Sequence, residues 1–201
     1  MRPMALRWII SALIFSIVTP APVWSQWSLS LGVQSDRFWG GSVENAPERK
    51  SFRPYRPTLI AVGLERRAGS AGLALRFRYT EASLGLEGSD AVVALKGAFT
   101  VLGIAPELNY QVLTLGPGNR VLVHAGPLLE FWDPAEVQSR TRLGAQGAVS
   151  LRIPMGGRFG LSLAGSVALI ASPLQSDELI DGYELRPLWR RGFAAELQYR
   201  L

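Results

Sequence analysis

Phe193-Ala194-Ala195-Glu196-Leu197-Gln198-Tyr199-Arg200-Leu201 decides how the rest of the chain is read. Its odd positions carry Phe, Ala, Leu, Tyr and Leu; its even positions carry Ala, Glu, Gln and Arg. Alternate side chains of a strand project to opposite faces. The segment therefore reads as a strand with one apolar face and one charged face, running to the last residue given.

Working back from it, the same alternation recurs seven times, at about 27–37, 57–67, 72–81, 100–113, 120–132, 142–153 and 159–171, with 189–201 as the eighth strand. The stretch 72–81 sets Leu73, Leu75, Phe77 and Tyr79 against Ala74, Arg76, Arg78 and Thr80. The stretch 120–132 alternates least well, with Val121, Val123, Ala125, Leu129 and Phe131 opposing His124, Gly126 and Glu130. No helical period is present beyond residue 26. The connections alternate in length. Residues 68–71, 115–119 and 155–158 are glycine-bearing tight turns, whereas 38–56, 82–99, 133–141 and 172–188 are long and polar. Aromatics cluster at the strand ends. Phe38, Trp39, Tyr55, Tyr79, Phe99, Phe131, Trp132 and Trp189 fall beside the long connections, and Trp27, Phe159 and Tyr199 at the other end. Two aromatic girdles are expected where rings meet lipid headgroups.

The N-terminus has a different character. Arg2 and Arg7 precede or flank an apolar run of 11 residues from Trp8 to Val18, then Thr19-Pro20-Ala21-Pro22 and Val23-Trp24-Ser25. This is the pattern of a signal peptide cleaved after Ser25. The run is well short of the roughly 20 residues a spanning helix needs. The expected organisation is a signal peptide over 1–25 and one β-barrel domain over 26–201. Without the leader's two arginines, 19 basic residues face 16 acidic ones. That balance, with no basic patch interleaved with aromatics, excludes a nucleic-acid partner. There is no cysteine, hence no disulfide framework and no thiolate site. Only Lys50 and Lys96 among the 21 basic residues are lysines; the rest are arginines, whose planar forks suit packed ion pairs.

Leader, alternation, loop asymmetry and terminal strand together resemble the small eight-stranded bacterial outer-membrane barrels, the OmpA-barrel and OmpX-like class. The resemblance covers the whole chain after the leader and singles out no subfamily. It implies an all-β, eight-stranded antiparallel up-and-down transmembrane β-barrel in the outer membrane of a Gram-negative cell. Short turns would be periplasmic and long loops extracellular. The partners implied are outer-membrane lipid and the barrel-assembly machinery, and the chain is expected to be monomeric. The family's terminal strand usually ends in Phe or Trp; here Leu201 stands last, with Tyr199 two before it.

The opposing arrangement is a soluble barrel with its apolar face inward. Alternation alone does not choose between them. Small residues do: Gly160, Ser162, Ala164 and Ser166, and Ser28, Ser30 and Gly32, flank the long side chains Arg190, Glu196, Gln198 and Arg200 of the terminal strand. Interdigitation of small with long belongs to a crowded interior. The polar face then fills the lumen with Glu65, Glu107, Glu130 and Glu196 and with Arg76, Arg78, Arg142, Arg152, Arg190 and Arg200. Buried charge must be paired and hydrogen-bonded. These ten residues read as an ionic plug, with a narrow anion-selective conduit as the second reading.

Pro106 and Pro127 interrupt strands and lack a ladder donor. A bulge or bend at each is the plain expectation, a lateral opening for a lipophilic ligand the sharper one. His124 is the single histidine. With no serine nearby on its strand it reads as a satisfied interior group rather than a catalytic base. No metal cluster or phosphate loop is present in the sequence, and no cofactor is expected. The role expected is structural or surface-interaction, without enzymatic activity. A small porin-like channel is the alternative, and a lipid-modifying enzyme the third reading.

Overall fold

A computed structural model of the chain describes residues 26–44, 51–55, 57–87, 92–134, 138–172 and 183–201. The leader and its expected cleavage point lie outside these residues. So do the central parts of the long connections.

The described chain is all β. Its strands are β1 (Gln26–Glu44), β2 (Ser51–Tyr55), β3 (Thr58–Ala68), β4 (Ala71–Glu87), β5 (Val92–Leu115), β6 (Asn119–Pro134), β7 (Arg140–Gly156), β8 (Phe159–Ile170) and β9 (Tyr183–Arg200). All pairings are antiparallel between neighbours, and β1 returns to β9 from Ser28↔Arg200 to Glu44↔Tyr183, which closes the sheet. The wall nevertheless has eight columns. β2 and β3 both lie between β1 and β4 and continue one another. The break between them falls at Pro57, which has no N–H to give the ladder. The eight-stranded antiparallel barrel expected from the sequence is the structure observed.

Polarity settles inside from outside. Leu31, Leu108, Leu143 and Phe193 project outward and are 59%, 67%, 70% and 60% exposed. Glu65, Arg76, Arg78, Glu107, Glu130, Arg152, Arg190 and Glu196 are buried. A barrel that is apolar outside and charged inside is built for lipid, not water. An open sheet edge in hydrocarbon would leave backbone groups unsatisfied at several kcal/mol each, so closure by β9 is obligatory there.

The strands run well past their expected ends on the long-connection side. β1 reaches Glu44, β4 reaches Glu87, β5 begins at Val92 and β9 at Tyr183. Much of 38–56 and 82–99, and residues 183–188, are therefore strand. Register shifts between Gly40 and Ser42 and between Ala82 and Leu84 explain the difference. An extra residue reverses the parity of the side chains beyond it, so a pattern of period two stops at the bulge. At the opposite end, Gly116, Gly118, Gly156 and Gly157 hold φ values of 61°, 92°, 101° and 55° in the short turns, where a β-carbon would be strained.

The prolines give no bulge. β5 pairs with β6 at Ile104↔Leu129 and again at Leu108↔Ala125, the same register on both sides of a gap that places Pro106 opposite Pro127. Each proline keeps its pairing with its other neighbour, Leu75↔Pro106 and Pro127↔Ala145. The two missing donors thus fall in one seam. The seam stays shut because Gly126 lets the strands touch: a β-carbon there would lie 2.0 Å from the Pro106 carbonyl oxygen. No lateral opening results. The outer wall carries instead an apolar hollow of about 260 Å³ lined by Leu64, Leu75, Pro106, Leu108 and Pro127.

Candidate functional site: the barrel lumen

Three groups of charges occupy the lumen. The central one is organised by Glu107 on β5. Arg76 Nε on β4 donates to its Oε2 at 2.8 Å, while Arg78 Nη2 at 3.4 Å and Gln146 Nε2 from β7 both donate to its Oε1. Arg76 also donates to Glu196 on β9, and Arg78 to the Gln146 carbonyl, so the group spans the barrel from wall to wall. Toward the long-connection end, Arg190 on β9 donates to Glu130 at 2.6 Å and faces Asp36 at 3.3 Å. Gln34 donates to Asp36 at 2.7 Å. Toward the short turns, Arg152 holds Glu65 with both ends of its fork, Nη1 to Oε1 at 2.8 Å and Nη2 to Oε2, while Arg67 Nε stands 3.7 Å from the same carboxylate. Bidentate arginine–carboxylate pairs combine charge with fixed geometry. Removing one member of such a buried pair strands the other.

Eight of the ten expected lumen residues take part in the contacts just described. Arg142 stands cross-strand from Glu130 on the same luminal side. Arg200 does not enter the network: it is exposed at the rim and donates to the Gly157 carbonyl at 2.6 Å. It follows the inward parity, but it is the last residue of β9, where the lumen has already opened to solvent. Asp36, Gln34 and Gln146 complete the network. Asp36 is readable as the next inward position after Gln34, one step beyond the expected emphasis of its strand.

Part of the expected outer girdle faces inward instead. Phe38, Phe99 and Trp132 are buried with Ala82, Val101 and Leu188 in one cluster inside the long-connection end. Trp132 meets Phe38 at 6.4 Å and Phe99 at 5.8 Å, both edge-to-face. The cluster is fastened to the ionic layer beneath it. Trp132 Nε1 donates to Glu130 at 3.0 Å, and the Arg190 guanidinium lies 5.8 Å from the Phe38 ring. The parity of these residues is that of Gln34, Glu130 and Glu107, hence inward. Tyr79, Phe131 and Trp189 do face outward, and Arg191 packs 4.0 Å over the Trp39 ring. At the other rim, Arg66 lies 5.5 Å over Trp27, and Phe159 packs 5.1 Å from Tyr199. Leu122 and Leu128 of β6 are also wholly buried in the interior, which is why 120–132 alternates poorly.

His124 has the serine that its own strand lacks. Its Nε2 lies 2.7 Å from Ser150 Oγ on β7, and its Nδ1 3.5 Å from Glu107 on β5. Antiparallel pairing sets His124 between Asn109 and Ala148, and both partners sit one diagonal step away. The order serine–histidine–carboxylate is that of a hydrolase triad. Its setting is not. Ser150 is 1% exposed, and the void beside His124 measures about 20 Å³, room for a single water. The arrangement is a single hydrogen bond, His124 to Ser150, that ties β6 to β7 beside the Glu107 carboxylate. Among the described residues no cluster could hold a metal ion.

No protein-family model matches the chain, and no curated protein sequence does. Solved structures do match. Neisserial surface protein A superposes with a TM-score of 0.60 at 8% identity, over 87% of this chain and 97% of its own. The chain has the fold of the small outer-membrane β-barrels. Outer membrane protein AlkL, solved in lipid bilayers, gives a TM-score of 0.53 at 12% identity over 90% of this chain and 94% of its own. A major outer membrane protein from Thermus thermophilus gives 0.50 at 14% identity over 87% and 99%. At such identities the likeness is one of fold. With the apolar exterior, it places this barrel in the outer membrane.

Proposed function

We propose that this outer-membrane barrel is a non-conducting scaffold with a structural or surface-interaction role, exported by the 1–25 leader and folded as a monomer by the barrel-assembly machinery. One observation carries the reading: the lumen is closed twice over. Arg76, Arg78, Glu107 and Glu196 cross-link opposite walls, and Trp132, Phe38 and Phe99 fill the space beyond. Ions would have to break buried pairs and then cross a dry aromatic layer. The strand extensions support the surface half of the reading. Among the described residues, β5 continues beyond its last rung with β6, Phe99↔Pro134, out to Val92 against β4, and β9 continues to Tyr183 against β1. They form a raised part of the wall, where a surface partner would meet the barrel first. The channel alternative would require these buried pairs and the aromatic cluster to part.

Planar-bilayer recording of the purified, refolded protein tests the proposal. The expected result is a flat trace with no discrete steps. Reproducible openings of sizeable conductance would overturn the closed lumen and install the channel.

A further inference from the structure

The charges at the short-turn mouth do not balance, in contrast to those deeper in. Arg67, Arg120, Arg152, Arg158 and Arg200 line a cavity of about 230 Å³ there. Among the described residues, the one side-chain carboxylate bonded to any of them is Glu65, and Arg152 already occupies both its oxygens. Arg120 and Arg152 stand directly opposite one another in the β6–β7 ladder. Like charges so placed repel. Arg152 Nε is buried with no acceptor, and Arg158 and Arg200 find only weak or neutral ones, the Tyr199 hydroxyl at 3.5 Å and the Gly157 carbonyl at 2.6 Å. Five guanidiniums thus share a single carboxylate, Glu65, around a space with room for several waters.

We propose that this mouth is a binding site for a compact multivalent oxyanion of the phosphate or diphosphate class. Guanidinium forks match the oxygen geometry of such groups and bind them in pairs of parallel hydrogen bonds. A dianion between Arg120 and Arg152 turns their repulsion into a shared attraction and gives Arg152 Nε its acceptor. The site is a pocket and not a passage, because the Glu107 layer closes the lumen above it. Short turns face the periplasm in barrels of this fold, so the ligand comes from that side. Two sources carry the chemistry: a free phosphate compound, and the headgroup of an anionic lipid reaching round the rim at Arg158 and Arg200. The barrel wall between cavity and bilayer favours the first.

The test is titration of the protein in neutral detergent with inorganic pyrophosphate, followed by calorimetry and thermal unfolding. A parallel arm adds phosphatidylglycerol to nanodiscs of neutral lipid. The expected result is saturable one-to-one binding of pyrophosphate with a dissociation constant below about 1 mM and a raised melting temperature. Affinity should fall at least about tenfold in Arg120→Gln/Arg158→Gln, as two charged contacts are lost. Neither side chain holds the ionic layer together, and the variant's unaltered heat-modifiable band checks its folding. A response in the lipid arm alone would assign the phosphate to a headgroup. No saturable binding in either arm, or equal binding in the double variant, overturns the site.

Discussion

The two ends of the lumen are built from the same wall and filled in opposite ways. At the long-connection end, Trp132, Phe38, Phe99, Val101 and Leu188 exclude water, and each charge beneath them has a partner. At the short-turn end, arginines outnumber the acid that faces them, and the space between them stays open. Position in the fold does not impose this: inward parity runs unbroken from the aromatic cluster down to Glu65 and Arg152. What differs is which residues occupy it. An up-and-down barrel can thus be sealed at one mouth and kept as a charged cup at the other by a handful of side chains.

The largest effect tests whether both ends depend on one closure. Deleting 193–201 removes the rungs from Ser28↔Arg200 to Ser35↔Phe193 and exposes β8 and β1 as edges in lipid. Insertion should be abolished, read as loss of the heat-modifiable folded band in isolated outer membranes. A truncated chain that keeps the band would mean that the barrel closes without this strand. Next comes the central layer. Glu107→Ala leaves Arg78 without a carboxylate and Arg76 with Glu196 alone, and should cost about 3–5 kcal/mol in reversible urea unfolding in a bilayer. A loss below about 1 kcal/mol would show the layer to be hydrated and loosely held.

Trp132→Ala should cost nearly as much, about 3–5 kcal/mol, as a large side chain leaves a cavity. Conductance should stay flat, because the ionic layer remains; openings in this variant alone would make the aromatic cluster the sole gate. Leu163→Arg, on the outward face midway along β8, should cost about 2–4 kcal/mol in the same assay. A fluorophore on a cysteine at 163 should be quenched from the lipid phase, and one at 162 should not; the opposite result would reverse inside and outside. Ser139→Cys should react with a membrane-impermeant maleimide on intact cells and Pro117→Cys should not, a clean contrast in a chain without native cysteine. The reverse pattern would exchange the two ends. The smallest effect falls at the cup: Arg120→Gln should shift stability by no more than about 0.5 kcal/mol, or raise it slightly, since it removes a repulsion.

Much of this was legible because a barrel in lipid writes its fold in period two. The outward Leu and Val and the inward Glu65, Arg76, Glu107 and Arg152 could be read off parity alone. Three things could not. The aromatics at strand ends satisfy a girdle and a plug equally until parity is counted through to Phe38, Phe99 and Trp132. The strand extensions were hidden by the shifts after Gly40 and Ala82. The meeting of His124 with Ser150 and Glu107 depends on the stagger of three strands, and no single strand's sequence records its neighbours' register.

Facing prolines in the β5–β6 seam bear on how the cylinder deforms. A closed ladder resists any change of cross-section, since flattening the tube bends every rung at once. Where Pro106 meets Pro127 the rungs are missing over Ala105–Glu107 and Gly126–Leu128, yet the strands remain in contact at Gly126. The wall there is a crease. Along that line the fewest rungs of the β5–β6 seam oppose a change of cross-section. Glu107, which grips Arg76 and Arg78 across the lumen, hangs directly on the crease. Any yielding of the wall along that line would act on the central charges through Glu107.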